Sequence, residues 1–548
     1  MRRHRAIVIV LGVVVALGIP AGGGAPPGPP GHSSPETRTD RPASLILQGR
    51  SAEDVAAAVR AAGGSVTHDL SIIRAVAADL TAAQLGEALR RGVITRVFPN
   101  REVKTAGGPD SFYPERVGAD LLHDQGIRGD GITVAVLDTG IWNAPELMKD
   151  SRGHQRVLVR YDAFTNRTSH GGAPDHNGHG THVSSTILSS RRSSSGKFVS
   201  VAPDARLVVV KAFRSDGSAT YADVIRGIAW VVFNRSRYGI RVLNCSFSAR
   251  PRSHYWEDPL DLAVMVAWYT GIVVVASGGN GGPDPQTVGV PGNVPYAITV
   301  GAMTDHFTTE DAEDDRLASF SATGPTFEGF VKPDLVAPGG HVIGTMTRTQ
   351  RLGSEHPDAQ VGNEHLFRMS GTSQAAAVVS GVVALMLDRQ PSLTPNEVKC
   401  RLMASARPAL DPESSRAYSI FQQGAGLVNA RAASYSTATQ CANRGLNLLA
   451  DILGQQHYGG RANQDGTGEY YVMGYNGSGY TWDGGFAAGT GYPWTDGYPW
   501  TADSYLWSEG YPWTAGYTWV DGYPWTAGYP WTTGLIEPMA VNGWVAQE

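Results

Sequence analysis

The chain has 548 residues, of which 42% are hydrophobic and 17% charged, and its formal net charge is −5. That length exceeds one small domain and carries enough apolar side chains for a large core. The weakly acidic balance gives no electrostatic case for nucleic acid or an anionic membrane as partner, and three cysteines exclude a disulfide-dense scaffold.

The first segment, residues 1–25, reads as a secretory signal peptide: a basic MRRHR, an apolar run from Ala6 to Ile19, then small residues. The run is short for a membrane span, so cleavage and a secreted, extracellular location are expected. Residues 26–42 are a Pro/Gly linker. Residues 43–105 carry a compact strand–helix–strand–helix–strand pattern. A strand starts at Ser44, a helix spans Glu53–Ala62, a strand Ser71–Leu80, a helix follows its cap Thr81, and a strand spans Val93–Lys104. With room for a fourth strand, this order predicts a small α+β ferredoxin-like unit. It carries no catalytic pairing.

Beyond the break at Gly107–Asp110, continuous apolar runs alternate with helical patterns. ITVAVLD ends at Asp138, and further runs cover Leu207–Lys211, Val242–Cys245, Ile272–Ala276 and Ala297–Val300. Helices are expected over Tyr221–Tyr238 and, capped by Asp258, over Pro259–Thr270. Runs of this kind are strands buried on both faces. The fold class is therefore α/β, a mostly parallel sheet with helices on both faces, whose ligands bind at the strands' carboxyl ends. The stretch from Phe367 to Leu387 is a polar SGTS loop turning into a nearly charge-free helix, which must be buried.

Residues 435–479 read as a linker. In 480–534 a GYPWT-type unit recurs, with Trp494, Trp500, Trp507, Trp513, Trp519, Trp525 and Trp531 spaced by six or seven residues. Its Pro and Gly forbid a long helix, so it is a low-complexity aromatic repeat tail. It is either a stalk or a platform for a polysaccharide or cell-wall partner. Residues 535–548 form the C-terminal end. Cys245 sits in a buried-strand pattern, which leaves Cys400 with Cys441 as the pairing expected of an exported protein.

Four signals carry chemistry. Asp138 ends a buried strand, where a carboxylate can orient an imidazole; its bland alternative is a turn cap. DHNGHGTHVS from Asp175 holds three histidines at three-residue spacing, but lacks the Glu of a zinc-protease helix. No metal site is expected there, and His179 reads as a general base, with Gly180 giving room to substrate. Asn280 follows a buried strand and can donate to an oxyanion, or simply make an Asn-Gly turn. Ser373 stands at the start of the buried helix, where N–H groups are free.

The chain order Asp138, His179, Ser373, with Asn280 between the last two, resembles that of the subtilisin-like serine peptidases, the subtilases. The motifs are VAVLDTGI, HNGHGTHVSS and SGTSQAAA, supported by VAPDARLVVVK from Val201, KPDLVAPG from Lys332 and GAGLVNA from Gly424. The likeness covers residues 112–434. It implies a secreted serine endopeptidase with catalytic Asp138, His179 and Ser373 and an oxyanion donor, Asn280. It also implies substrate-binding positions at Ser246, Phe247, Ser248, Ser277, Gly278, Gly279 and Gly289. The glycines among them suggest a roomy pocket for a large apolar residue. The 43–105 unit then resembles an inhibitory, folding-assisting propeptide, self-processed between Val103 and Pro109.

The partners implied are protein or peptide substrates and the chain's own propeptide. No cofactor is required. The family's calcium loop is replaced by SSRRSSSGK from Ser189, whose cations oppose that site, and calcium elsewhere stays open. Ser248 stands where Gly is usual, and Gln374 and Ala377 where Met and Pro are usual; an intact helix is still expected. The alternative function is a surface or cell-wall binding protein whose aromatic repeat is the working part.

Overall fold

The computed structural model describes residues 42–100, 112–308, 312, 314–362, 365–410, 417–464, 470–472, 517–518, 539–541, 544–545 and 547. The signal segment, most of the first linker, the expected processing junction and nearly all of the repeat lie outside the described residues. No helix among the described residues is long and apolar enough to cross a membrane. The chain divides into two compact units, residues 1–105 and 106–548.

The first unit has strands β1 (Ala43–Gly49), β2 (Ser65–Leu70), β3 (Ala75–Leu80) and β4 (Ile94–Pro99) in one antiparallel sheet of order β2-β3-β1-β4. The helix Ala52–Ala61 follows β1, capped by Ser51, whose side chain accepts from Asp54 N. The helix Ala82–Arg90 follows β3 with a full capping box between Thr81 and Gln84. This is the split βαβ arrangement, and Leu47, Val55, Val59, Val76 and Leu80 fill its small core. The stretch expected to be one strand from Ser71 is instead a short 3₁₀ turn, Ser71–Ile73, then β3. The fourth strand is β2, whose mostly exposed side chains hid it from an apolar-pattern reading.

The second unit is built on a nine-stranded sheet. Its strands are β5 (Thr133–Asp138), β6 (Val157–Asp162), β7 (Arg167–Ser169), β8 (Arg206–Lys211), β10 (Ile240–Cys245), β12 (Val273–Ser277), β13 (Ile298–Thr304), β14 (Arg316–Leu317) and β15 (Leu335–Pro338); two short strands outside it are β9 (Ser218–Ala219) and β11 (Phe247–Ser248). The order is β14-β13-β12-β10-β5-β8-β6-β7, with β15 also beside β13. All neighbours are parallel except β7 and β14. Every residue of β5, β12 and β13 is buried, as expected for strands covered on both faces.

The helices lie where the pattern put them: Tyr221–Tyr238, and Pro259–Tyr269 with Asp258 accepting from Leu260 N and Asp261 N. The helix Thr372–Arg389 is buried from Thr372 through Leu387 and runs against β10, β12 and β13. Ala375, Ala377 and Gly381 keep its surface narrow enough to lie that deep; a Cβ on Gly381 would lie 2.5 Å from Val201 Cβ. The Ala at 377 and Gln at 374 leave the helix intact.

The linker reading of 435–479 is corrected over the described residues 435–464 and 470–472, because this stretch is packed onto the domain. Cys441 is disulfide-bonded to Cys400. Buried Asp451 accepts from Tyr255 Oη at 2.7 Å and Tyr296 Oη at 2.8 Å. Tyr458, Ala462, Tyr470 and Val472 are all buried. Both polar groups, such as Asp451, and apolar side chains, such as Ala462 and Val472, make the attachment. Tyr517–Thr518, two residues of one repeat unit, pairs antiparallel with Tyr458–Gly459.

Candidate active site

Three parallel strands end at the same edge of the sheet. β5 ends in Asp138, β10 runs into Ser246, and β12 runs into Ser277 and the turn that carries Asn280. The buried helices that start at His179 and Thr372 open over this edge. Parallel strands put their carboxyl ends together, and helix starts bring free N–H groups to the same place.

His179 Nδ1 lies 2.8 Å from Asp138 Oδ1 and 3.0 Å from Oδ2. Asp138 also accepts from Thr139 N at 2.8 Å, and the Asp138 and His179 side chains are essentially fully buried. His179 Nε2 is buried without a hydrogen-bond partner among the described residues. An imidazole fixed at Nδ1 by a carboxylate presents Nε2 as an acceptor.

The loop before His179 is held by Asp175. Its Oδ1 accepts from Asn177 N, Gly178 N and Thr139 Oγ1, and its Oδ2 from Thr181 N and Thr181 Oγ1. Composition alone did not single out Asp175 or Thr139; the signal available was a carboxylate two, three and six residues before the N–H groups it binds. Gly180 does not make room for substrate. A Cβ there would lie 2.5 Å from Gly140 O and 3.1 Å from Thr139 N, so its glycine serves the close approach of the Thr139–Gly140 turn.

The three histidines of this stretch do not converge. His176 is exposed, His179 faces Asp138, and His182 Nε2 lies 3.1 Å from Phe367 O. Burial lowers the His182 pKa to about 4, with the neighbouring His179 acting in the same direction.

Ser373 and Ser246 exchange two hydrogen bonds. Ser373 Oγ donates to Ser246 O at 3.0 Å, and Ser246 Oγ donates to Ser373 O at 2.9 Å. Asn244 Nδ2 supports Ser246 Oγ at 2.9 Å, and Asn244 Oδ1 accepts from Ser380 Oγ on the same buried helix. Asn280 is oriented by Thr372, whose N and Oγ1 both donate to its Oδ1, at 2.9 and 2.8 Å. A backbone N–H can only donate, so the oxygen must face Thr372 and the NH2 group is left as donor. Thr372 was a residue the sequence reading passed over.

The remaining pocket positions gather at the mouth of the sheet. Ser277 Oγ donates to Phe247 O at 3.1 Å, and Gly278 and Gly289 are joined by a backbone bond of 2.9 Å. The roomy pocket inferred from the glycines is not what stands there. A Cβ on Gly279 would lie 3.0 Å from Ser248 Oγ, and one on Gly289 would collide with it. The Ser248 side chain takes the space that a glycine would leave open, and makes it smaller and polar.

The Ser189–Lys197 loop does not fit calcium. Arg192 stacks over Phe198 and donates to Gly196 O, while Lys197 Nζ lies 3.4 Å from both Glu115 and Asp120. The loop brings cations rather than oxygen ligands. Cys245, next to the site, is buried, and burial with the Asp138 charge pushes its thiol pKa up, so it stays protonated.

The family model described as the subtilase family matches residues 129–426. The serine protease AprX of Bacillus subtilis is 38% identical over 344 residues, 62% of this chain and 73% of its own length. The thermostable alkaline protease of Halalkalibacterium halodurans is 31% identical over 344 residues, covering 62% of this chain and 80% of its own. Subtilisin E of Bacillus subtilis is 30% identical over 375 residues, 68% and 83%. With its motifs gathered at one strand end and two helix starts and a family match across more than half its length, the chain belongs to the subtilase family and is a serine endopeptidase.

Proposed function

We propose that the protein is a secreted endopeptidase, made as a self-processing pre-pro-enzyme, that cuts peptide bonds through Asp138, His179 and Ser373. The observation that carries this reading is the His179 Nδ1 to Asp138 bond of 2.8 Å, with Nε2 left unpaired among the described residues at the mouth of the sheet. On this reading the Ser373 hydroxyl turns from Ser246 O to Nε2, gives up its proton and attacks the substrate carbonyl carbon. The imidazolium is stabilised by Asp138 and then protonates the leaving amine. The Asn280 NH2 group and the Ser373 N–H at the helix start hold the oxyanion. Water then cleaves the acyl-enzyme by the same route in reverse.

Substrate would lie extended along Ser246, Phe247 and Ser248, with its side chain at the cut facing Ser277, Gly278, Gly279 and Gly289. The 43–105 unit would act as inhibitory propeptide, a reading its separate compact fold and ferredoxin-like sheet order support. Intact mass and N-terminal sequencing of the exported wild type and Ser373→Ala test the reading. The wild type should begin near residues 104–109, whereas Ser373→Ala should keep the 43–105 unit. Identical N-termini just after the signal segment would refute self-processing.

A further inference from the structure

The short strands β9 and β11 do not pair with each other. Met539–Val541 lies between them as a third strand, antiparallel to both. On one side Val541 is opposite Phe247 and Ala540 opposite Ser248; on the other, Met539 is opposite Ala219 and Ala540 opposite Ser218. Val541 N donates to Gly217 O at 3.0 Å. A Cβ on Gly217, whose φ is +81°, would lie 2.9 Å from Val541 Cγ2, so a glycine stands where the strand comes closest. Met539 and Val541 are buried in the domain's main core cluster, and Ala540 between them is partly buried.

A strand edge offers unpaired N–H and C=O groups, and an extended chain lying between two edges satisfies both at once. The sequence of the occupant suits this place. Successive side chains of a strand point to opposite faces, so Met539 and Val541 enter the core together while the small Ala540 faces away. The same segment is fastened a second time. Trp544 stacks on His356 with ring centroids 3.8 Å apart and packs with Met346, Phe367 and Met369, and Ser370 Oγ donates to Gln547 Oε1 at 2.7 Å. Ser370 stands in the loop that enters the buried helix at Ser373, and Phe247 follows Ser246, whose carbonyl accepts from Ser373 Oγ. The segment's described residues are therefore attached to both elements that frame the proposed nucleophile.

We propose that the cleft between β9 and β11 is a receptor for an extended chain, and that Met539–Val541 is its resident occupant, which keeps the peptidase latent towards peptides until the strand leaves. The inference rests on the triad reading above. An external substrate lying along Ser246, Phe247 and Ser248 needs the backbone groups of β11 that now face Val541 and Ala540. One set of N–H and C=O groups cannot pair with two chains, so occupant and substrate exclude each other, a cis form of strand addition. The contest is over binding. Only the fraction of molecules with the strand out takes substrate, so the apparent KM rises by the inverse of that fraction while kcat is unchanged. Removal of the 43–105 unit would then leave a second restraint in place, carried by the other end of the chain.

The test compares the full chain as wild type, Val541→Pro, and Met539→Asp with Val541→Asp. Proline removes the N–H that donates to Gly217 O and cannot sit in the middle of a sheet; the two aspartates put charge where the core takes only apolar groups. Intact mass first checks that the wild type retains Met539–Val541, and its loss from the isolated enzyme overturns residence. Each form is then assayed on a quenched peptide, with rates expressed per serine labelled by a fluorophosphonate. The opened forms should show an apparent KM lower by roughly tenfold or more at the same kcat, as expected if about nine molecules in ten are closed. A synthetic peptide of residues 536–541, amidated at its carboxyl end, should inhibit Val541→Pro competitively, and a scrambled one should not. Equal KM values in all three forms overturn this proposal and leave the peptidase reading standing. Opened forms that neither label nor unfold cooperatively in urea, beside a wild type that hydrolyses the peptide, would make the strand a structural part of the domain and overturn it too. Absence of labelling and hydrolysis in every form removes the triad reading and this inference together.

Discussion

Ser246 and Ser373 hold each other by reciprocal hydrogen bonds, each hydroxyl donating to the other's carbonyl, at 2.9 and 3.0 Å. The pair ties the end of β10 to the start of the buried helix, and so ties the proposed substrate edge to the proposed nucleophile. Ser246→Ala removes one of the two bonds and leaves Asn244 Nδ2 without its partner. One neutral hydrogen bond contributes about 1 kcal/mol. The expected result is a roughly fivefold fall in kcat with KM little changed, measured on a peptide ester and the matching amide. A rise in KM alone would show that Ser246 acts only on substrate binding.

Thr372 sets the direction of Asn280 through two bonds to Oδ1. Asn280→Ala should lower kcat by about 100- to 1000-fold, a range established on a subtilisin itself. Thr372→Ala keeps the backbone N–H bond and loses the hydroxyl bond, so a smaller loss, roughly fivefold, is expected. Steady-state kinetics on one peptide substrate checks both. Equal losses in the two variants would mean that the hydroxyl alone orients the amide.

His182 gives the fold an acid limit. Its pKa falls from the ordinary value near 6.5 to about 4 because burial disfavours the charged ring. Between those values the unfolded chain binds a proton that the native state does not. Stability is therefore full above pH 6.5 and is lost as pH falls toward 4, by about 3 kcal/mol in total. Urea titrations between pH 7 and 4, in a Ser373→Ala background to stop self-digestion, should show this slope. Adding His182→Gln should flatten it.

The Cys400–Cys441 disulfide closes a loop with a sequence separation of 41 and fastens the region after Ala433 to the domain. Chain-entropy arithmetic gives about 4 kcal/mol for a loop of that size. Cys400→Ser with Cys441→Ser should lower the midpoint of urea unfolding accordingly. Cys245 is buried and remote from solvent, so alkylation of the native protein should leave it unmodified.

The candidate catalytic positions were legible because each rests on a short local pattern. An apolar run ending in Asp138, a glycine-rich stretch around His179 and a polar loop entering a charge-free helix at Ser373 each follow from local backbone needs. Their chain order added the family. The parallel strands were legible for the same reason, since a strand buried on both faces must be apolar throughout. In the first unit the exposed β2 escaped, because a strand with a solvated face and no clear alternation carries no such signal.

What the sequence by itself determined is therefore the family and its local frames: the α/β pattern, the candidate residues Asp138, His179, Asn280 and Ser373, and the small α+β unit before them. Only the tertiary structure decided how those residues are held and what fills the cleft. Asp175 and Thr372 act through hydrogen bonds to distant backbone, and Ser248 closes a pocket from another strand. Residues 435–464 dock by burying Asp451 and Tyr458 against Tyr255 and Tyr296, about 150 to 200 positions away. Met539–Val541 finds β9 and β11 across about three hundred residues of chain. Such contacts depend on which surfaces folding brings together, and no local pattern of side chains records that.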